Sequence, residues 1–238
     1  LKQNPFYEEA YLAYADTHYY GGIKKYQWVA RPLALHGVVA KKDGTVLTVK
    51  IGEDPSDPVV GISDLLPHLG AEQMTKKANE VIPGEGLDII LGGQPLEGEE
   101  KKPVKARLLA MLKEKYWIEE EDMLSAEIEA VPADKARDFG LDRSMVLAYG
   151  HDDRCCAWAE LAAMFRLPAV PESTCCCLLA DKEEIGSVGA TGMRAHYFEN
   201  AVAELMHLTG EDGDLKLRRA LSNSRMLSCD VNAAFDPM

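Results

Sequence analysis

The 238 residues carry 26 Lys and Arg against 39 Asp and Glu, a formal net charge of −13, and 47% of them are hydrophobic. That balance argues against nucleic acid as a partner, because phosphate binding needs a basic surface. No apolar run approaches the roughly 20 residues of a membrane span and no signal peptide is visible, so a soluble, cytoplasmic chain with one large domain or two small ones is expected.

In chain order, Leu1 to Ala15 is polar and aromatic and reads as the tail of a strand followed by a loop or short helix. Thr17 to Gln27 combines Tyr19, Tyr20 and Tyr26 with Gly21, Gly22 and the pair Lys24-Lys25, a Gly-containing loop of the kind that also carries function. Trp28 to Ala40 and Thr45 to Ile51 read as strands joined at Lys42-Asp43-Gly44, since Asp-Gly suits a tight hairpin turn. His36, inside the first of these runs, reads as a hydrogen-bonded structural histidine. Asp64 to Leu69 resembles a docking segment with a structural His68. Ala71 to Gly98 is expected to be irregular, with short strands at Val81-Ile82 and Leu87 to Leu91. Lys102 to Tyr116 is the clearest helix of this half, with Pro103 in its first turn and Val104, Leu108, Met111 and Leu112 on one face. A strand over Met123 to Val131 and a short helix over Ala133 to Phe139 follow.

From Met145 the pattern changes to strand then helix, repeated. Strands are expected at Met145 to Tyr149, Ser173 to Ala180 and Met226 to Cys229, and helices at Asp153 to Leu167, Thr191 to Leu208 and Leu215 to Leu221. Alternation of this kind implies an α/β fold with a mainly parallel sheet and flanking helices. Six cysteines, Cys155, Cys156, Cys175, Cys176, Cys177 and Cys229, lack CxxC spacing. They are expected to be buried free thiols in a reducing compartment.

Each expected strand of this half ends in acid. Asp152-Asp153 follows the first, Asp181-Lys182-Glu183-Glu184 the second, and Asp230 closes the third. A Glu-Glu pair alone also fits a solvated turn. Carboxylates converging from three strand ends, with a spare Glu beside them, suit a dinuclear zinc, manganese or cobalt centre that activates water.

These residues resemble a known family. Asn4-Pro5, Thr17-His18-Tyr19-Tyr20-Gly21-Gly22-Ile23, Gly150 to Arg154, Asp181 to Ser187, Gly189-Ala190-Thr191-Gly192 and Ser228 to Pro237 are together similar to the aspartyl aminopeptidase and aminopeptidase I family of di-zinc metallopeptidases. The resemblance runs along essentially the whole chain. It implies that Asp152 bridges two metals, Glu184 ligates one and Asp230 the other. Glu183 would be the general base for a metal-bridging hydroxide that releases the N-terminal residue of a peptide. Asp153 and Asn232 would hydrogen-bond around the ligands, and Lys24, Lys25 or Tyr26 would reach substrate across a subunit interface.

The same resemblance implies a zinc-peptidase-like domain over residues 1–25 and 145–238, interrupted by a β-rich dimerisation domain over 26–144, and assembly into a homododecamer. It also implies a ligand His in a His-x-Asp motif before Leu1 and another beyond Met238. None of His18, His36, His68, His151, His196 and His207 matches either context. The chain is therefore expected to be an internal fragment of a longer enzyme, holding three of five ligands. The residues also fit two rival readings, a catalytically dead scaffold and another dinuclear-metal amidohydrolase.

Overall fold

The structure, a computed structural model, describes residues 1–235. Its chain separates into two compact units, Leu1–Tyr149 and Gly150–Met238. The first begins with a hairpin of β1 (Phe6–Glu9) and β2 (Leu12–Ala15), where a strand tail and loop were expected. Alternation buries Ala13 and Ala15 on one face, while Tyr7 and Tyr14 stack across the pair at 5.2 Å. Five further strands complete an antiparallel sheet: β3 (Pro32–Ala40), β4 (Val46–Ile51), β5 (Val60–Gly61), β6 (Ile89–Gly92) and β7 (Ala126–Pro132). β3 is its centre, with β7 on one side and β4 and β5 on the other, and β6 connects β5 to β2.

The hydrophobic pattern of β3 explains that place. Leu33 and Val39 are fully buried and Leu35 nearly so, in one core with Val49 and Ile51 of β4 and Ile128 of β7. Burying each such side chain contributes about 1.5–3 kcal/mol. The β3–β4 turn is the expected one. Gly44 sits at φ +87°, its N–H donates to Lys41 O at 3.0 Å, and Asp43 Oδ1 accepts from Thr45 N at 2.9 Å. His36 Nε2 lies 3.0 Å from Glu53 Oε1 yet is buried without a hydrogen bond among the described residues, so the hydrogen-bonded histidine expected there is not formed.

Helix α1 (Pro103–Tyr116) packs against β1, β2 and β6 and buries Val104 and Leu108, with Met111 and Leu112 half-buried on the same core. Glu8 of β1 caps its start: the N–H groups of Val104 and Lys105 donate to Glu8 Oε2 at 2.9 and 2.8 Å. A carboxylate there satisfies orphan amides and opposes the positive end of the helix dipole. Tyr7 Oη donates to Asp88 Oδ2 at 2.6 Å and Thr17 N donates to Asp88 Oδ1 at 3.1 Å, so residues 1–17 are fastened to the chain entering β6.

Several expected elements differ. Ala133 to Phe139 is not a helix; β8 (Arg137–Phe139) pairs antiparallel with β9 (Met145–Leu147) in a two-stranded ribbon. Cross-strand bonding overrides local helix propensity there. Val81-Ile82 forms no strand, and the strand over Met123 to Val131 is preceded by a 3-10 turn at Glu120–Ser125.

The second unit holds α2 (His151–Met164), α3 (Tyr197–Leu208) and α4 (Asp214–Asn223), with α3 packed on α4. The expected long helix from Thr191 is shorter, starting at Tyr197. Ser173 to Ala180 and Met226 to Cys229 form no strand, so the mainly parallel sheet is not formed among the described residues. The one parallel pairing described is an isolated bridge between Asp181 and Gly192. Apolar runs become parallel strands only beside neighbouring strands, and here they have none. The six thiols are free as expected but not buried: Cys155, Cys175 and Cys176 are exposed and the other three half-buried.

Candidate metal centre

Asp152 and Asp153 open α2, yet neither has helical dihedrals, with φ/ψ of −85°/112° and −110°/17°. The start of α2 is thus bent away from a regular turn at both acids. Asp230 arrives from the irregular segment after α4. One carboxylate oxygen from each of Asp152, Asp153 and Asp230 lies within 4.8 Å of the others. Three exposed carboxylates at that separation repel one another, and a divalent cation between them turns the repulsion into attraction. Oxygen-only donors in an open arrangement fit a hard or borderline cation such as zinc or manganese.

Asp153, assigned by the sequence to the surroundings of the ligands, is therefore as close to the cluster as Asp152. Asp230 Oδ1 accepts from its own neighbour, Val231 N, at 2.6 Å. Among the described residues no hydrogen bond joins Asn232 to Asp230. Cys229, immediately before Asp230, faces the Glu160 carboxylate of α2, and that contact together with desolvation pushes its thiol pKa up.

Glu183 and Glu184 occupy a 3-10 turn, Glu183–Ile185, and both are exposed. They are not in the 4.8 Å group with the three aspartates. The turn is held by Gly186 N donating to Glu183 O at 2.9 Å and Ser187 N donating to Lys182 O at 2.8 Å. Lys24 and Lys25 belong to the first unit. Lys24 is exposed, while Lys25 Nζ stands 5.5 Å over the ring of Tyr19, a cation–π contact. Asp236 and Pro237, the end of the Ser228 to Pro237 motif, lie outside the described residues. Among those described, no helix is long and apolar enough to cross a membrane.

With this geometry established, the class of protein follows from comparison. The chain belongs to the peptidase M18 family, whose model, described as aminopeptidase I zinc metalloprotease, matches residues 1–238. A relative from Clostridium acetobutylicum, a probable M18 family aminopeptidase 1, is 59% identical over 238 residues, covering all of this chain and 51% of the relative. The crystal structure of an M18 aminopeptidase from Thermotoga maritima superposes with a TM-score of 0.87 at 46% identity, over 99% of this chain and 52% of that one. The mApe1 dodecamer of Saccharomyces cerevisiae, at 21% identity and a TM-score of 0.64 over 100% of this chain and 52% of that one, shares the fold. The chain spans about half the length of the curated relatives it matches.

Proposed function

We propose that this chain supplies the carboxylate side of the active centre of a metallo-aminopeptidase. The convergence of Asp152, Asp153 and Asp230 is the observation that carries the reading. Asp152, Asp230 and Glu184 would hold the zinc, with Asp153 beside them. Zinc bound there supplies Lewis acidity for the scissile carbonyl and lowers the pKa of water towards neutrality.

The chain's own part in the reaction is proton transfer and positioning. Glu183 accepts a proton from the attacking water as its oxygen bonds to the carbonyl carbon. The same carboxylic acid then delivers that proton to the leaving nitrogen as the C–N bond breaks, releasing the N-terminal residue. Asn232 and the Lys24-Lys25 pair contact substrate or ligands, the lysines doing so from a neighbouring subunit. Residues 26–144 mediate self-association into a homododecamer in the cytoplasm, and residues 1–25 with 145–238 contribute to the catalytic domain. The S. cerevisiae relative described as a dodecamer supports the assembly.

Glu183→Gln separates the base from the ligands. The variant is expected to keep zinc binding and to lose activity by about 10²–10⁴-fold in the peptidase assay. Full turnover by a zinc-loaded variant would remove Glu183 from the mechanism. Comparing Asp-, Glu- and Leu-terminal peptides sets the substrate preference. A second reading is favoured by the separation of Glu183 and Glu184 from the three aspartates: a chain that binds a cation and does not turn over by itself. Zinc uptake without peptide cleavage by the 238 residues would decide for it.

A further inference from the structure

The motif Gly189-Ala190-Thr191-Gly192 has no part in the chemistry above, yet it touches the Glu183–Glu184 turn at both ends. At the first end, Asp181 N donates to Thr191 O at 3.1 Å, Thr191 Oγ1 donates to Asp181 Oδ2 at 3.3 Å, and Asp181 forms its parallel bridge with Gly192. Lys182 Nζ lies 2.9 Å from the same Asp181 oxygen. At the other end, the Ser187 carbonyl accepts from Arg194 N at 3.1 Å.

Between these ends the backbone of Gly192 lies against the Ser187-Val188 peptide. A Cβ on Gly192 would fall inside the van der Waals envelope of Ser187 O and 2.6 Å from Val188 O. Both obstacles are backbone atoms, so neither can rotate aside. Any side chain at 192 must push residues 187–188 away, and the turn that begins at Lys182 moves with them.

We infer that Thr191 and Gly192 are positioning residues that clamp the Glu183–Glu184 turn between Asp181 and Ser187. They hold the base and the ligand in one fixed geometry without touching substrate. The inference rests on the assignment of Glu183 and Glu184 made above and adds the device that keeps them in place. A preorganised carboxylate matters because a misplacement of an ångström at a ligand or base is costly to binding and rate.

The test uses the full chain with Gly192→Ala, Thr191→Val and Thr191→Ser, and reads two quantities. Hydrogen exchange at the Gly186 and Ser187 amides is expected to rise by about tenfold or more in Gly192→Ala and severalfold in Thr191→Val, with α3 amides unchanged and Thr191→Ser near wild type. Zinc affinity, read by competition with a chromophoric chelator, is expected to fall in the same order. Where Gly192→Ala also exposes α3, Thr191→Val against Thr191→Ser decides the matter. Unchanged Gly186 and Ser187 protection in both Gly192→Ala and Thr191→Val, or no difference between Thr191→Val and Thr191→Ser, overturns the clamp. Zinc affinity lowered by Glu184→Gln but not by Gly192→Ala also overturns it, whereas affinity indifferent to Glu184→Gln overturns the ligand assignment.

Discussion

The two units of this chain solve opposite problems. In Leu1–Tyr149, Leu33, Val39, Ile89 and their neighbours are removed from water by a seven-stranded sheet and α1. In Gly150–Met238, no hydrophobic side chain among the described residues is buried: Trp158 is 69% exposed, Phe165 82% and Leu208 78%. The acidic cluster sits on the second kind of framework. The β-rich unit thus draws its stability from packing, whereas the acid-bearing unit holds its geometry by local backbone bonds such as those around Glu183.

The largest test of that contrast is truncation. Leu33→Ala is expected to cost about 3 kcal/mol of unfolding free energy, within the usual range for a fully buried leucine. Leu205→Ala on α3, where the side chain is 60% exposed, should change stability by less than about 0.5 kcal/mol. Urea denaturation followed by circular dichroism compares the two, and equal losses would erase the distinction between the units. Zinc should act in the opposite sense. At a hundredfold excess over its Kd it would stabilise the second unit by about 2.7 kcal/mol, leave the first unaffected, and lose this effect in Asp152→Asn. Hydrogen exchange resolved by unit checks it.

Smaller effects fall within the first unit. Glu8→Ala leaves the first amides of α1 without their acceptor and should cost about 1 kcal/mol, seen as a lower urea midpoint at constant slope. The smallest is a pH effect. Desolvation, then the hydrogen bond to Asp88, raises the Tyr7 pKa above the ordinary value of 10.0. A raised folded-state pKa means that this stabilisation is complete below pH 10 and is lost as pH climbs towards the folded value. Tyr7→Phe should flatten the alkaline decline, and an unaltered decline would detach Tyr7 from it.

What the sequence revealed follows the same division. The Asp43-Gly44 turn and α1 were legible because their causes are local: a positive φ at glycine, a proline in the first turn, and an apolar face at helical spacing. Ala133 to Phe139 has a helical local preference, and the β9 partner that overrides it lies several residues away. Ser173 to Ala180 reads as a buried strand by composition, but composition does not provide the neighbour that a strand needs. At the candidate site, Asp152, Asp153 and Asp230 are legible, because acids closing successive apolar runs leave a visible mark. The close approach of Gly192 to Ser187 left only a glycine, and no periodicity distinguishes that glycine from one in an ordinary loop.

The three tryptophans divide unevenly between the units. Trp28 is half-buried, edge-on to Tyr149 at 6.1 Å, and Trp117 is 70% exposed, both in the first unit; Trp158 alone stands in the second, on the helix opened by Asp152 and Asp153. A chain carrying Trp28→Phe and Trp117→Phe therefore has a single tryptophan, on the helix that carries Asp152 and Asp153 and exposed to solvent. Its emission should be red-shifted and readily quenched by iodide. Whatever later covers α2, whether another part of a longer chain or another subunit, would announce itself as a blue shift in that one signal.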